Sequence, residues 1–266
     1  MIQRGRDGMG KETKDVESVG IEEYPTPKAS IVAFIFSLGL VLTVGSFVQL
    51  YAFLPGLYIT EWRLILGPPL ILLMRKGADI KKSLSLQRLT VRHVLLGVLG
   101  GLGVYFLMLG AFLLMTSIMG AYPEVSAIIE AFPTTWLGFV PWVLGMGFSA
   151  GFCEEILFRG FIQNGLDRRW GQVKAVTITA ILFAVFHVDP WRGPGILLFG
   201  FLVGYLLIRT GSLFTSMAFH VAANSLSQVL AFTQTFPTSD VEWALVTILS
   251  VLLVSITLYL TEKTRS

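Results

Sequence analysis

The chain of 266 residues is 54% hydrophobic and only 14% charged, with a net charge of +3 and a mean hydropathy of +0.72. A soluble domain carries about 25% charged residues to cover its surface, so this composition excludes one and points to lipid as the solvent. The basic residues lie between apolar runs and form no nucleic-acid patch, and a single cysteine, Cys153, excludes an internal disulfide framework.

Residues 1–28 mix both charge signs with glycine and lack an apolar centre, so no cleavable signal is read there. They are expected to be a cytoplasmic tail. Residues 29–262 are expected to form one transmembrane domain, an all-α polytopic helical bundle. A helix needs roughly 20 apolar residues to cross the hydrocarbon. About eight such runs follow in order, near 30–53, 56–74, 93–118, 134–161, 173–188, 193–208, 212–232 and 241–260. The second holds Glu61, Arg63 and the Pro68-Pro69 pair, so its ends and straightness are the least defined. Glu61 and Arg63 read as a local polar pair near its outer end. The third opens on His93 and then carries Gly97, Gly100, Gly101 and Gly103, small residues that let helices approach closely.

Lysine and arginine in short loops set the orientation. Arg75, Lys76, Lys81, Lys82, Arg88 and Arg92 lie between spans two and three, and Arg168, Arg169 and Lys174 between spans four and five. The segments 119–133 and 233–240 hold neither residue type. An integral cell-membrane protein with several passes and both termini cytoplasmic satisfies this alternation. Trp62, Trp136, Trp191 and Trp243 read as anchors at the outer interface and Trp170 at the inner one.

Chemistry is sought among the polar residues that lipid would otherwise reject, at roughly 2.5–3.5 kcal/mol per mid-membrane charge. Three clusters stand out. Glu154, Glu155 and Arg159 lie in the fourth span, Phe183 and His187 in the fifth, and His220 and Asn224 in the seventh. Helical rise places Glu154 and His187 roughly 20 Å, and His220 roughly 16 Å, from basic loops on the same side, so all three reach similar depths. Glu155 and Arg159, four apart, share a face suited to an ion pair. Glu154 points about 100° away, toward a different helix. A carboxylate beside a neutral imidazole can hold and deprotonate a water, and His220 with Asn224 offers donors for a developing oxyanion. Cys153 beside Glu154 reads as a small buried residue, because no histidine partner is assigned to it.

The runs EEILFR, FAVFH and HVAAN match the EExxxR, FxxxH and HxxxN motifs of the CPBP family, which includes the type II CAAX prenyl endopeptidases. The resemblance spans about residues 143–231, within a motif-bearing core at about 134–232. It implies an intramembrane endopeptidase in which Glu154 and His187 activate water and His220 with Asn224 forms the oxyanion site. Glu155 and Arg159 resemble the family's bracing pair, and Phe183 would pack beside the site. The partners implied are membrane lipid and a peptide or prenylated-protein substrate, cleaved to release a C-terminal tripeptide. No cofactor is expected. The alternative is zinc on Glu154, His187 and His220, which are a suitable ligand set with an open position, although no HExxH helix is present. The other reading of the same cluster is a non-proteolytic scaffold, an immunity protein or a small transporter. A transporter is disfavoured because no internal symmetry is visible.

Overall fold

The computed structural model describes residues 24–123 and 126–263. Residues 1–23 of the expected tail therefore lie outside the described residues. Ten helices follow: α1 Pro27–Tyr51, α2 Phe53–Arg75, the short α3 Ile80–Ser83, α4 Val91–Met119, the short α5 Ser126–Ala131, α6 Trp136–Trp170, α7 Gln172–Phe186, α8 Gly193–Thr210, α9 Leu213–Thr233 and α10 Asp240–Glu262. Among the described residues there is no strand.

The eight expected runs each become a long helix. Six of them, α1, α2, α4, α6, α8 and α10, are long and apolar enough to cross a membrane. The other two fall short for different reasons. α7 has only 15 residues. α9 has 21, but His220, Asn224, Ser225, Ser227 and Gln228 make it too polar. Both are among the helices that carry the polar clusters.

Local chemistry sets several helix ends. Thr26 caps α1 by accepting from the Ala29 amide at 3.2 Å, and α10 begins with a capping box between Ser239 and Glu242. α7 stops at Phe186 because Pro190 follows closely and disfavours helical backbone before it. His187, expected inside the fifth helix, is instead its C-terminal cap, and Val188 takes a left-handed φ of 48°. That conformation is strained for a β-branched residue.

α4 packs along α9 and α10, α7 along α8, and α9 against α6. The glycine stripe explains the first contact. A Cβ at Gly97 would stand 2.4 Å from the Thr215 carbonyl, and one at Gly101 2.1 Å from that of Phe219. Gly103 meets α10 in the same way, 2.8 Å from Leu253 Cβ. α6 lies at the centre, and every residue of its Ile156–Gln163 segment is buried.

Four stretches are π-helical: Val41–Gly45 in α1, Thr60–Ile65 in α2, and Leu144–Ser149 and Ile156–Gln163 in α6. In α2 the Leu66 amide reaches back five residues to the Glu61 carbonyl at 3.0 Å, just before Pro68 and Pro69, which have no N–H to donate. The helix passes through the proline pair by widening. The two α6 stretches bracket Ala150–Glu155, and such bulges concentrate at functional sites.

One end of the bundle gathers the start of α4, the ends of α6 and α10, the loop around α3 and the α8–α9 turn. Asn164 Nδ2 donates to the Ser83 carbonyl at 3.1 Å, the Leu213 amide to the Ser85 carbonyl at 3.0 Å and Arg92 to the Leu260 carbonyl at 3.2 Å. This end carries most of the lysine and arginine. At the opposite end the Trp136 and Phe232 rings stand 4.5 Å apart and Trp191 Nε1 donates to the Gly120 carbonyl at 3.0 Å. Trp62 is no interfacial anchor. It sits in the middle of α2, donates to Ser149 Oγ at 3.0 Å and stacks on Phe152 at 5.6 Å.

Candidate active site

α6, α7 and α9 bring Glu154, His187 and His220, one from each cluster, together. Glu154 Oε2 lies 3.9 Å from His187 Nε2 and 4.0 Å from His220 Nε2. Both separations exceed direct hydrogen-bond range. Glu154 Oε2 is itself buried with no protein partner.

Each histidine is oriented through its other nitrogen. His187 Nδ1 lies 2.8 Å from the Phe183 carbonyl one turn back, which can only accept, so Nδ1 carries the proton. His220 Nδ1 lies 2.8 Å from Glu155 Oε1. When a ring carries its single proton at Nδ1, its Nε2 is an acceptor facing Glu154.

Below these groups Arg159, fully buried, donates from Nη1 to Glu155 Oε1 at 3.1 Å. The expected ion pair forms, and Glu155 does more than brace: the same oxygen meets both Arg159 and His220. The guanidinium also reaches the Gly200 carbonyl at 3.4 Å and lies 4.2 Å from the centre of the Phe183 ring. Phe183 touches both histidines, with ring centres 4.7 Å from His187 and 5.8 Å from His220. It forms the floor of the site. Phe199, which sequence reading did not single out, stands 4.7 Å from His220. An aromatic inside an apolar run carries no signal that would distinguish it.

Asn224 is on the same side of α9 as His220. Its Nδ2 donates to the Met146 carbonyl in the π-helical stretch of α6 at 3.1 Å, which leaves one further N–H. Cys153 is fully buried and its nearest charged neighbours are carboxylates, Glu61 and Glu154, an unsuitable setting for a thiolate.

Glu61 departs from expectation. It is buried with its Oε2 lacking a partner, whereas Arg63 is exposed. No ion pair joins them among the described residues. The α2 stretch that carries Glu61 packs against the Ala150–Glu155 segment of α6. The sequence signal was present, a carboxylate in an apolar run, but its facing depended on how α2 packs on α6.

A loop outside the bundle's apolar zone fixes the end of α7. Asp189 Oδ1 accepts from the Arg192 amide at 3.0 Å; its Oδ2 accepts from Arg192 Nε at 2.5 Å and from the Tyr122 hydroxyl at 2.8 Å. Burial alone would raise the Asp189 carboxyl, but the bonds from Arg192 and Tyr122 outweigh it and hold the group below its ordinary range.

Zinc bonds of about 2.0–2.1 Å put tetrahedral ligand atoms about 3.3 Å apart, and the two separations from Glu154 are wider. Among the described residues no group of three His, Cys, Asp or Glu is arranged to hold a metal ion.

Residues 134–226 match the family model described as type II CAAX prenyl endopeptidase Rce1-like. No curated protein and no solved structure matches the chain. The matched segment contains α6 to the middle of α9 and every residue of the cluster except Glu61.

Proposed function

The chain belongs to the CPBP family of membrane peptidases through its Rce1-like segment, and on that premise we propose that it hydrolyses a peptide bond at the Glu154–His187–His220 cluster by direct attack of water. The observation that supports this reading most is the convergence of Glu154 Oε2 and the two Nε2 atoms at 3.9 and 4.0 Å.

In this reading a water lies among the three atoms, giving one hydrogen to Glu154 Oε2 and the other to His187 Nε2. Glu154 takes its proton as the water oxygen bonds to the scissile carbonyl carbon. The carbonyl oxygen becomes an alkoxide. His220 donates to it from Nε2 when the ring carries both protons, with Glu155 at Nδ1 as counter-ion, and the second Asn224 N–H assists. Glu154 then returns its proton to the leaving nitrogen as the C–N bond breaks. No atom of this cycle needs a metal.

A prenylated CAAX-type substrate is the finer proposal. An apolar cavity of about 710 Å³ is lined by Phe152, two residues before Glu154, and by Met217 and Val221, which flank His220 in α9. Its walls suit an isoprenoid chain, although no residue of the Glu154–His187–His220 cluster lines it. We place the basic end of the bundle, with both termini, on the cytoplasmic side.

The test is cleavage of a fluorogenic farnesylated CAAX peptide by detergent-purified protein. Glu154→Ala and His187→Ala should each lower kcat by about 10²–10⁴-fold, with activity surviving a chelator. Loss of activity to the chelator, restored by zinc, would replace the metal-free mechanism. Folded wild type that cleaves an unprenylated peptide equally well would remove the prenyl assignment, and no cleavage of any peptide would leave the scaffold reading.

A further inference from the structure

A second concave site lies at the basic end, away from the catalytic cluster. It is a polar recess of about 360 Å³ lined by Lys82, Ser85, Arg88, His93, Arg209 and Gly211 among others, and no acidic residue lines it. Its cations come from three separate parts of the chain: the loop after α2, the start of α4 and the end of α8.

The walls are held by the fold. The Arg88 carbonyl accepts from His93 Nδ1 at 2.9 Å and from the Ser212 hydroxyl. Ser85 is tied by its carbonyl to the Leu213 amide at 3.0 Å and by its hydroxyl to Asn164 Nδ2 at 3.0 Å. Gly211, at φ +62°, lets the Arg88 guanidinium lie close over the α8–α9 turn, where a Cβ would stand 3.3 Å from Nη1. Arg88 has no ion-pair partner among the described residues. Arg209 is paired with Glu262 through Nη2, yet its Nε–H is buried without an acceptor.

Guanidinium forks and an ammonium converging on one recess at helix ends match a phosphate group, and basic pockets between membrane helices recruit anionic headgroups. We infer that this recess binds the phosphate of an anionic phospholipid headgroup at the membrane surface. The bound headgroup clamps the start of α4 to the α8–α9 turn, from which α9 carries His220 into the site. The inference is independent of the peptidase reading.

The test uses the full chain, delipidated in a non-ionic detergent, titrated with short-chain phosphatidylglycerol, with phosphatidylcholine of the same acyl length, and with inorganic phosphate. Phosphatidylglycerol should bind saturably and about tenfold more tightly than phosphatidylcholine, and Arg88→Gln and Lys82→Gln should each weaken it about fivefold. Inorganic phosphate that binds as tightly and displaces the lipid would assign the same recess to a soluble phosphate. Equal binding of the two lipids, or affinities unchanged in both variants, would overturn the inference. Thermal unfolding of each variant confirms the fold, and Lys82→Gln decides the matter if Arg88→Gln proves unstable.

Discussion

Arg159 shows how one residue of the site was readable and how much of its work was not. Spacing of four from Glu155 announced the ion pair. Contacts with the Gly200 carbonyl and the Phe183 ring depend on α7 and α8 arriving from elsewhere in the chain. Removing the guanidinium would leave Glu155 buried and uncompensated, at a cost of about 3–5 kcal/mol. Arg159→Ala should therefore lower thermal stability sharply as well as abolish cleavage, whereas Glu154→Ala should remove cleavage and leave the unfolding temperature nearly unchanged. Parallel unfolding and activity measurements on the two variants check this. Glu61 makes the opposite case, a buried carboxyl with no cation beside it. A buried polar group without a hydrogen-bond partner costs about 1–3 kcal/mol, which an apolar residue of similar volume does not incur. Glu61→Leu should accordingly unfold at or above the wild-type temperature, and a marked loss of stability would show that the carboxyl has a structural partner.

At the scale of elements, the glycine stripe of α4 was legible because close packing demands small residues at helical spacing. Which helices it would meet was not. The end of α7 was misplaced for a related reason: apolar composition continues through Val188, and only the backbone shows that the helix stops at Phe186. His187 is thus carried on a turn whose following loop is held by Asp189. Because the folded carboxyl of Asp189 is held below its ordinary range, it contributes stability that is fully present above the unfolded value of about 3.9. That contribution is lost as the pH falls through the folded value. Asp189→Asn should unfold at a lower temperature than wild type at neutral pH, with the gap closing below about pH 4. A gap that persists in acid would assign the effect to hydrogen bonding alone.

The whole molecule is a helical membrane bundle whose polar centre is enclosed by apolar helices. In the best 18-residue windows of α10 and α1 only 17% and 22% of residues are buried within the protein, against 44–50% in α2, α6 and α8. The outer helices face lipid, and the inner ones include α6, which carries Glu154. The proposed orientation predicts that, in a Cys153→Ala background, a cysteine at Asp79 is labelled only from the cytoplasmic side and one at Thr238 only from the other. Labelling of both from one side would overturn it.

By itself the sequence determined the solvent, the approximate helices and the identities of the polar residues, because lipid tolerates a buried charge only where something holds it, so each one stands out against an apolar background. Tertiary structure alone decided how those residues face one another. Two π-helical stretches of α6 flank the segment that carries Glu154, and Glu61 lies within that of α2. The pairing of His220 with Glu155 across 65 residues of chain arises from packing that no local spacing encodes.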